Sequence, residues 1–305
     1  MNAERGVSRI ECPKIGGHIP HSTLDTRPAF RLSRRMSPTH RNFASGLAFL
    51  SFWTVAAAEP ASLTKEELAA AVRTDDFSIP TPGELMVAMD KFAKLAWKTK
   101  YRVPIPTNFT SRPQMALNLG TLIADGYIAI QAQDEQAVKD VGKDIMALAK
   151  PLGVRAEIID RGKKLADFAE QKNWDPLKEE LEATQNEAKA KLAENQDKDL
   201  VALVTIGGWA RGTQAISSHI IDHYSPEAAK LLRQPGIVTF LSEKLDALPA
   251  KLRDDPAVKY TRTKLAELRT AVSFSADTAP TAADVQRINA IAADLIREIS
   301  RKDIK

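Results

Sequence analysis

Thiol chemistry is the first thing this chain lacks. Of 305 residues one is cysteine, Cys12, and it precedes an export-type leader, so the processed chain is expected to hold none. On that reading disulfides, Cys-ligated zinc, c-type haem attachment, thiol catalysis and lipid attachment at a cleavage-site cysteine are all excluded. The apolar run Phe43 to Ala58 is too short to span a bilayer comfortably, and polar, Pro-containing sequence follows it. No segment alternates with period two for long enough to make a strand, and Gly-rich phosphate loops are missing. A basic stripe is missing too. The whole chain carries 43 basic and 39 acidic residues, a net charge of +4. The first 58 residues hold eight of the basic and three of the acidic ones, so 35 and 36 remain and the net charge becomes about −1. Nucleic acid is therefore not an expected partner.

What is present begins with that leader. Arg34, Arg35, His40 and Arg41 precede the apolar run, which closes on Ala56-Ala57-Ala58-Glu59. This is the n-region, h-region and A-x-A order of a secretory signal. Met36 stands at its head, so residues 1–35 are expected to be a mis-annotated upstream extension and 36–58 the signal peptide, cleaved near Ala58. The expected location is periplasmic or secreted, with no transmembrane segment in the mature chain. Residues 59–78 read as a tether, with a capping box at Thr64-x-x-Glu67, and 79–305 as a helical domain. The 247 residues from Glu59 onward are enough to bury one core without disulfides.

The fold class is all-α, a multi-helix bundle of packed helical hairpins. Thr81-Pro82-Gly83-Glu84 opens the folded part as N-cap, first-turn proline and N3 acid. Ser111-x-x-Gln114 opens a long apolar helix to about Gln133. Asp134 restarts the chain to Pro151-Leu-Gly153. Residues 157–173 are amphipathic, and Asp175-Pro176 begins a solvated helix with the stripe Leu177, Leu181, Ala188 and Leu192. Asp199 to Tyr224 is a second apolar helix, Ser225-Pro226-Glu227 restarts a short one, and Gly236 to Leu248 forms another. A terminal hairpin pairs Val258, Leu265, Leu268 and Val272 with Ile288, Ala292, Leu295 and Ile299, capped by Thr281-x-x-Asp284. The segments Ala116–Gly120 and Leu203–Gly207 are alike at an offset of 87 residues. That is read either as two pseudo-symmetric halves or as chance likeness between buried helices.

Glycine inside a helix costs roughly 1 kcal/mol relative to alanine, so it needs a packing reason. Gly120 and Gly126 fall in one apolar helix and Gly207, Gly208 and Gly212 in the other, which predicts that the two cross backbone to backbone at their glycines. Asn118, Asp125 and Tyr127 on the first and Trp209, Arg211 and Gln214 on the second flank that crossing. A charge this deep needs a partner, so Asp125 is paired with Arg211. The residues form either a buried buttress or the lining of a small-ligand site.

The stretch Ala116-Leu-Asn-Leu-Gly-Thr-Leu-Ile-Ala-Asp-Gly-Tyr127, with Leu203-Val-Thr-Ile-Gly-Gly-Trp209 and the Pro80-x-Pro82-x-Glu84-Leu85 opening, resembles an uncharacterised family of exported or lipid-anchored helical proteins of Bacteroidetes-type bacteria. The resemblance covers roughly residues 79 to 250. It departs at Arg211, where an acidic or neutral residue would be expected, and in lacking an anchor cysteine. It implies export and an all-α fold, and no activity.

One metal-like spacing remains. His219-Ile-Ile-Asp222-His223 puts two histidines four apart on a helix, near the H-x-x-E-H zinc signature. Its acid is Asp222, a methylene shorter than the glutamate of that signature. These two are the only histidines beyond Ala58, so no other can serve a catalytic triad. The leading expectation is a non-enzymatic exported binding or scaffold protein without a cofactor, its partner a protein or small molecule of the cell envelope. The alternatives are a metal-dependent hydrolase at His219, Asp222 and His223, and a receptor with its pocket between the glycine-bearing helices.

Overall fold

Caps decide where this chain enters and leaves its helices. The computed structural model describes residues 80–92, 95–195, 197–275 and 277–302, with the backbone alone at 155–158. The leader, the stretch before it and the tether lie outside the described residues. Helix α1 spans Pro82–Asp90. Its capping box forms as the sequence predicts: Glu84 N donates to Thr81 Oγ1 at 3.2 Å, and Thr81 N to the Glu84 carboxylate at 2.7 Å. After a 3-10 turn at Trp97–Lys100 come α2 (Arg112–Gln131), α3 (Glu135–Leu152), α4 (Arg155–Glu170), α5 (Trp174–Glu194) and α6 (Lys198–Asp222). Then follow α7 (Pro235–Asp246), α8 (Pro256–Ala271) and α9 (Ala282–Ile299). Ser111, Asp134 and Thr281 each accept a first-turn N–H as expected. Among the described residues there is no strand, and no helix is long and apolar enough to cross a membrane.

Boundaries differ from expectation where local chemistry is ambiguous. Asp134 caps α3, which leaves Ala132 and Gln133 as the turn and ends α2 at Gln131, with Gln133 at φ 51°. Helix α5 begins at Trp174 rather than at Asp175-Pro176. Pro176 is its third residue, where a backbone N–H would have no intrahelical partner, so proline fits there. Helix α6 stops at Asp222 because His223 turns to φ −139°, ψ 61°.

The centre of the molecule is the pair α2 and α6, which run in the same direction. Arg112 pairs with Asp197 near their starts, at 2.8 Å, and Asp125 with Arg211 further along, at 2.7 Å. A Cβ on Gly120 would overlap the carbonyl oxygen of Val204, and one on Gly207 would overlap that of Leu117. Each glycine thus meets the residue three positions before the other, a local pseudo-twofold. Further out the surroundings differ: α3 packs on α2 and α9 on α6, while α1 and α5 each touch both. Gly208 lies at the crossing beside Gly120, whereas Gly126 faces Leu181 and Gly212 faces Pro82 and Leu85.

Two layers complete the bundle. The α8–α9 hairpin buries the eight apolar residues named above, with α9 laid on α6 and α7 on α8. On the other side α2, α3, α4 and α5 form a ring, each packed on the next and α5 closing back on α2. Helix α4 is its most lightly held member. Of its residues whose burial is described only Ala169 is fully buried, and Arg161 ties it to Glu180 and Glu187 of α5.

Candidate functional site

Helices α2 and α6 are buried along most of their length, so polar groups on them look for partners within the protein. Asp125 sits between two guanidinium groups. Arg211 Nε donates to its Oδ1 and Arg102 Nε to its Oδ2, each at 2.7 Å. Arg211, 2% exposed, also donates to Gln214 Oε1 and to the Lys100 carbonyl, each at 2.6 Å. Arg102 donates further to Thr121 Oγ1 at 2.7 Å and Ser300 Oγ at 3.2 Å. Burial pushes the Arg102 pKa down while Asp125 pulls it up. Asn118 Nδ2 donates to the Ile299 carbonyl at 2.7 Å, and its Oδ1 accepts from Ser300 at 3.0 Å. Trp209 Nε1 donates to Gln234 Oε1 at 2.9 Å. Tyr127 covers Gly83, and its buried hydroxyl has no partner. Burial, with the charges of Glu182 and Glu84, pushes that phenol above its ordinary pKa.

The six residues flanking the crossing are therefore not gathered about one cavity. Asp125 borders a cleft of about 170 Å³ beneath Tyr101–Ile105, and Trp209 a crevice of about 20 Å³. Between the glycines the two backbones touch, which leaves no room for a guest there. The cluster has the geometry of a buttress: it fixes α2 to α6, to the 98–102 connection and to the end of α9.

The H-x-x-D-H spacing does not assemble a metal site. His219 is 1% exposed and packs edge-on against Trp97, ring centroids 4.4 Å apart. Its Nε2 has no partner. Burial first, and the Lys100 charge second, push its pKa down from 6.5 to about 4. Asp222 is ion-paired with Lys100, and that bond holds its carboxyl below the usual range. His223 lies past the helix end, exposed, so it does not share a face with His219. Among the described residues no three His, Cys, Asp or Glu side chains converge. The metal-hydrolase reading has no support in this geometry.

The large cavity lies elsewhere, inside the α2–α5 ring. Its volume is about 720 Å³, within the range of sites for small organic ligands. Ile123, Val141, Ile145, Met146, Leu165 and Leu181 make much of its wall. The lining runs from Leu119 to Ile130 on α2 and from Leu177 to Ala188 on α5, about 16 Å at the helical rise per residue. Gly142 of α3 and Gly162 of α4 border it, and a Cβ built on either would meet no atom within 4 Å. The charged lining residues are Lys139, Lys143 and Lys163, each beside an acid of its own helix: Glu135 at 2.6 Å, Asp140 at 2.8 Å and Asp160 at 3.9 Å. At one end, where the α2–α3 and α4–α5 turns meet, Ile130 separates the cavity from a polar cleft of about 440 Å³.

Compared with protein-family models, with curated proteins and with solved structures, the chain matches none.

Sequence reasoning paired Asp125 with Arg211 and missed Arg102 and Lys100. Both lie in an irregular, proline-bearing connection, where no periodicity assigns a side chain to the interior. It also passed over Gly142, Gly162 and Gln185. The two glycines carried a usable signal, because they sit within amphipathic helices that alanine would suit better.

Proposed function

We propose that this chain is a non-enzymatic binding protein that holds an apolar small molecule within the α2–α5 ring. The observation that carries the reading is the apolar cavity together with Gly142 and Gly162. Gly120 and Gly207 are required by backbone contact; Gly142 and Gly162 have open space where a side chain would go. A helical glycine without a packing neighbour costs stability and returns only room. The apolar wall sets the class of guest, since its affinity grows with the apolar area it removes from water. The leader-like segment Phe43–Ala58 and the resemblance to exported helical proteins support an extracytoplasmic setting.

The test is saturable binding of an environment-sensitive fluorescent apolar probe to the purified full chain, compared with a Gly142→Leu/Gly162→Leu variant. The variant fills the space from two sides. It is expected to weaken the probe at least tenfold while its melting temperature holds or rises. A wild-type chain that shows no saturable binding, and yields no apolar molecule on solvent extraction, would overturn the reading.

A further inference from the structure

We infer that the guest is an anionic amphiphile, a single apolar chain whose charged headgroup rests at the cavity mouth among Lys139, Lys143 and Lys163; this deepens the reading of the ring cavity as a ligand site and rests on it. Charge is not spread evenly round the wall. Helices α2 and α5 bring only uncharged residues to it, Thr184 and Gln185 being the polar ones. The charged lining residues all come from α3 and α4, and all are cationic. Both helices also carry acids, yet among the described residues none of those acids lines the cavity. The Lys143 and Lys163 side chains are 72% and 76% exposed. A lysine at the edge of an apolar wall lays its stem along that wall and keeps its ammonium in water, so these two mark where the cavity opens. They stand equally far from Gly153, one before it and one after, and each follows the glycine that leaves space in its helix, Gly142 or Gly162. Mouth and open space coincide.

Placement at the mouth removes the main cost of binding an ion. A headgroup there keeps its water while the chain alone leaves it, so apolar surface is buried and charge is not. The lysines can turn to meet it. Their present partners, Glu135, Asp140 and Asp160, are neighbours on the same helix at 2.6, 2.8 and 3.9 Å, and such surface pairs are weak. A lysine ammonium on its flexible stem can serve an acid of its own helix and a guest together. A cationic headgroup would instead meet three like charges at the rim, and a neutral one would gain nothing from them.

The experiment displaces an uncharged fluorescent probe from the full chain with dodecanoate and, separately, with dodecylammonium, which has the same chain and the opposite charge. Both are used at neutral pH and below their aggregation concentrations. Dodecanoate is expected to bind about tenfold more tightly, the sum of three weak surface attractions. That ratio is expected to fall to one or below in Lys139→Gln/Lys143→Gln/Lys163→Gln. Molar salt should shrink it in the wild-type chain as well, because exposed charges are screened, and this arm needs no variant to fold. Equal affinities, or a preference for the ammonium, overturn the inference and leave the cavity reading standing. A preference that survives in the variant or in molar salt also overturns it, since the anion would then be meeting some group other than these lysines. Failure of the probe itself to bind sinks the cavity reading as well, and the two failures are told apart by that first measurement.

Discussion

A single carboxylate holds the middle of this protein together. Among the described residues Asp125 is the one acid bonded to Arg102 and Arg211, two guanidinium groups that are largely out of water. Asp125→Asn keeps the shape and removes the charge, leaving both cations uncompensated. It is expected to cost about 3–5 kcal/mol in urea unfolding, far more than an exposed pair such as Lys143–Asp140. His219 makes the second prediction at this scale. Folded, it stays neutral until about pH 4; unfolded, it takes a proton near 6.5. The unfolded state therefore binds more protons between those values, and stability falls as pH drops through that window. Between pH 7 and 5 the loss is on the order of 2 kcal/mol, and His219→Phe should flatten that part of a denaturation series. Asp134, Asp222, Asp284 and Asp294, whose pKa values are held below the ordinary one by hydrogen bonds, add acid sensitivity only at lower pH. The Asp125–Arg211 pair was legible in the sequence because each charge sits inside an apolar helix, away from the charged residues at its ends. Arg102 was not, because nothing in an irregular segment marks which side chain turns inward.

Helices here were legible where their ends are chemically marked. Thr81-x-x-Glu84, Ser111, Asp134 and Thr281-x-x-Asp284 cap through contacts within four residues, which a linear pattern records. The unmarked ends shifted by one to three residues. Two helices close on residues strained for their type: Gln133 after α2 at φ 51° and Lys172 after α4 at φ 57°. Each sits at the αL position of a Schellman-like turn that favours glycine, with the next N–H bonding five residues back, Asp134 to Ala129 and Asn173 to Phe168. Lys172→Gly is therefore expected to stabilise the chain by about 1 kcal/mol, read as a higher unfolding midpoint without loss of helicity. The glycines at the crossing go the other way. Gly207→Ala must separate α2 from α6 to clear the Leu117 carbonyl, so a large loss of stability is expected.

The whole molecule divides into a tightly held half and a looser one. Helices α2 and α6 with the α8–α9 hairpin share the dense core, whereas α4 rests on half-buried contacts and an ionic tie through Arg161. Hydrogen exchange measured by mass spectrometry should show α2 and α6 as the slowest elements and α4 as the fastest long helix. The all-α class followed from sequence because each helix carries its own apolar stripe. The cavity did not, because a void is a property of four helices at once and is written in no single one of them.

Helix α2 belongs to both halves, and that double membership limits how the container can adapt. It cannot retreat to admit a bulkier guest, because its backbone already rests on that of α6. Any widening must come from the opposite side, where α3 and α4 each border the cavity with a glycine. The vessel thus has one rigid wall and one compliant wall, and guests that differ in girth should be sorted by how far they bend the compliant one.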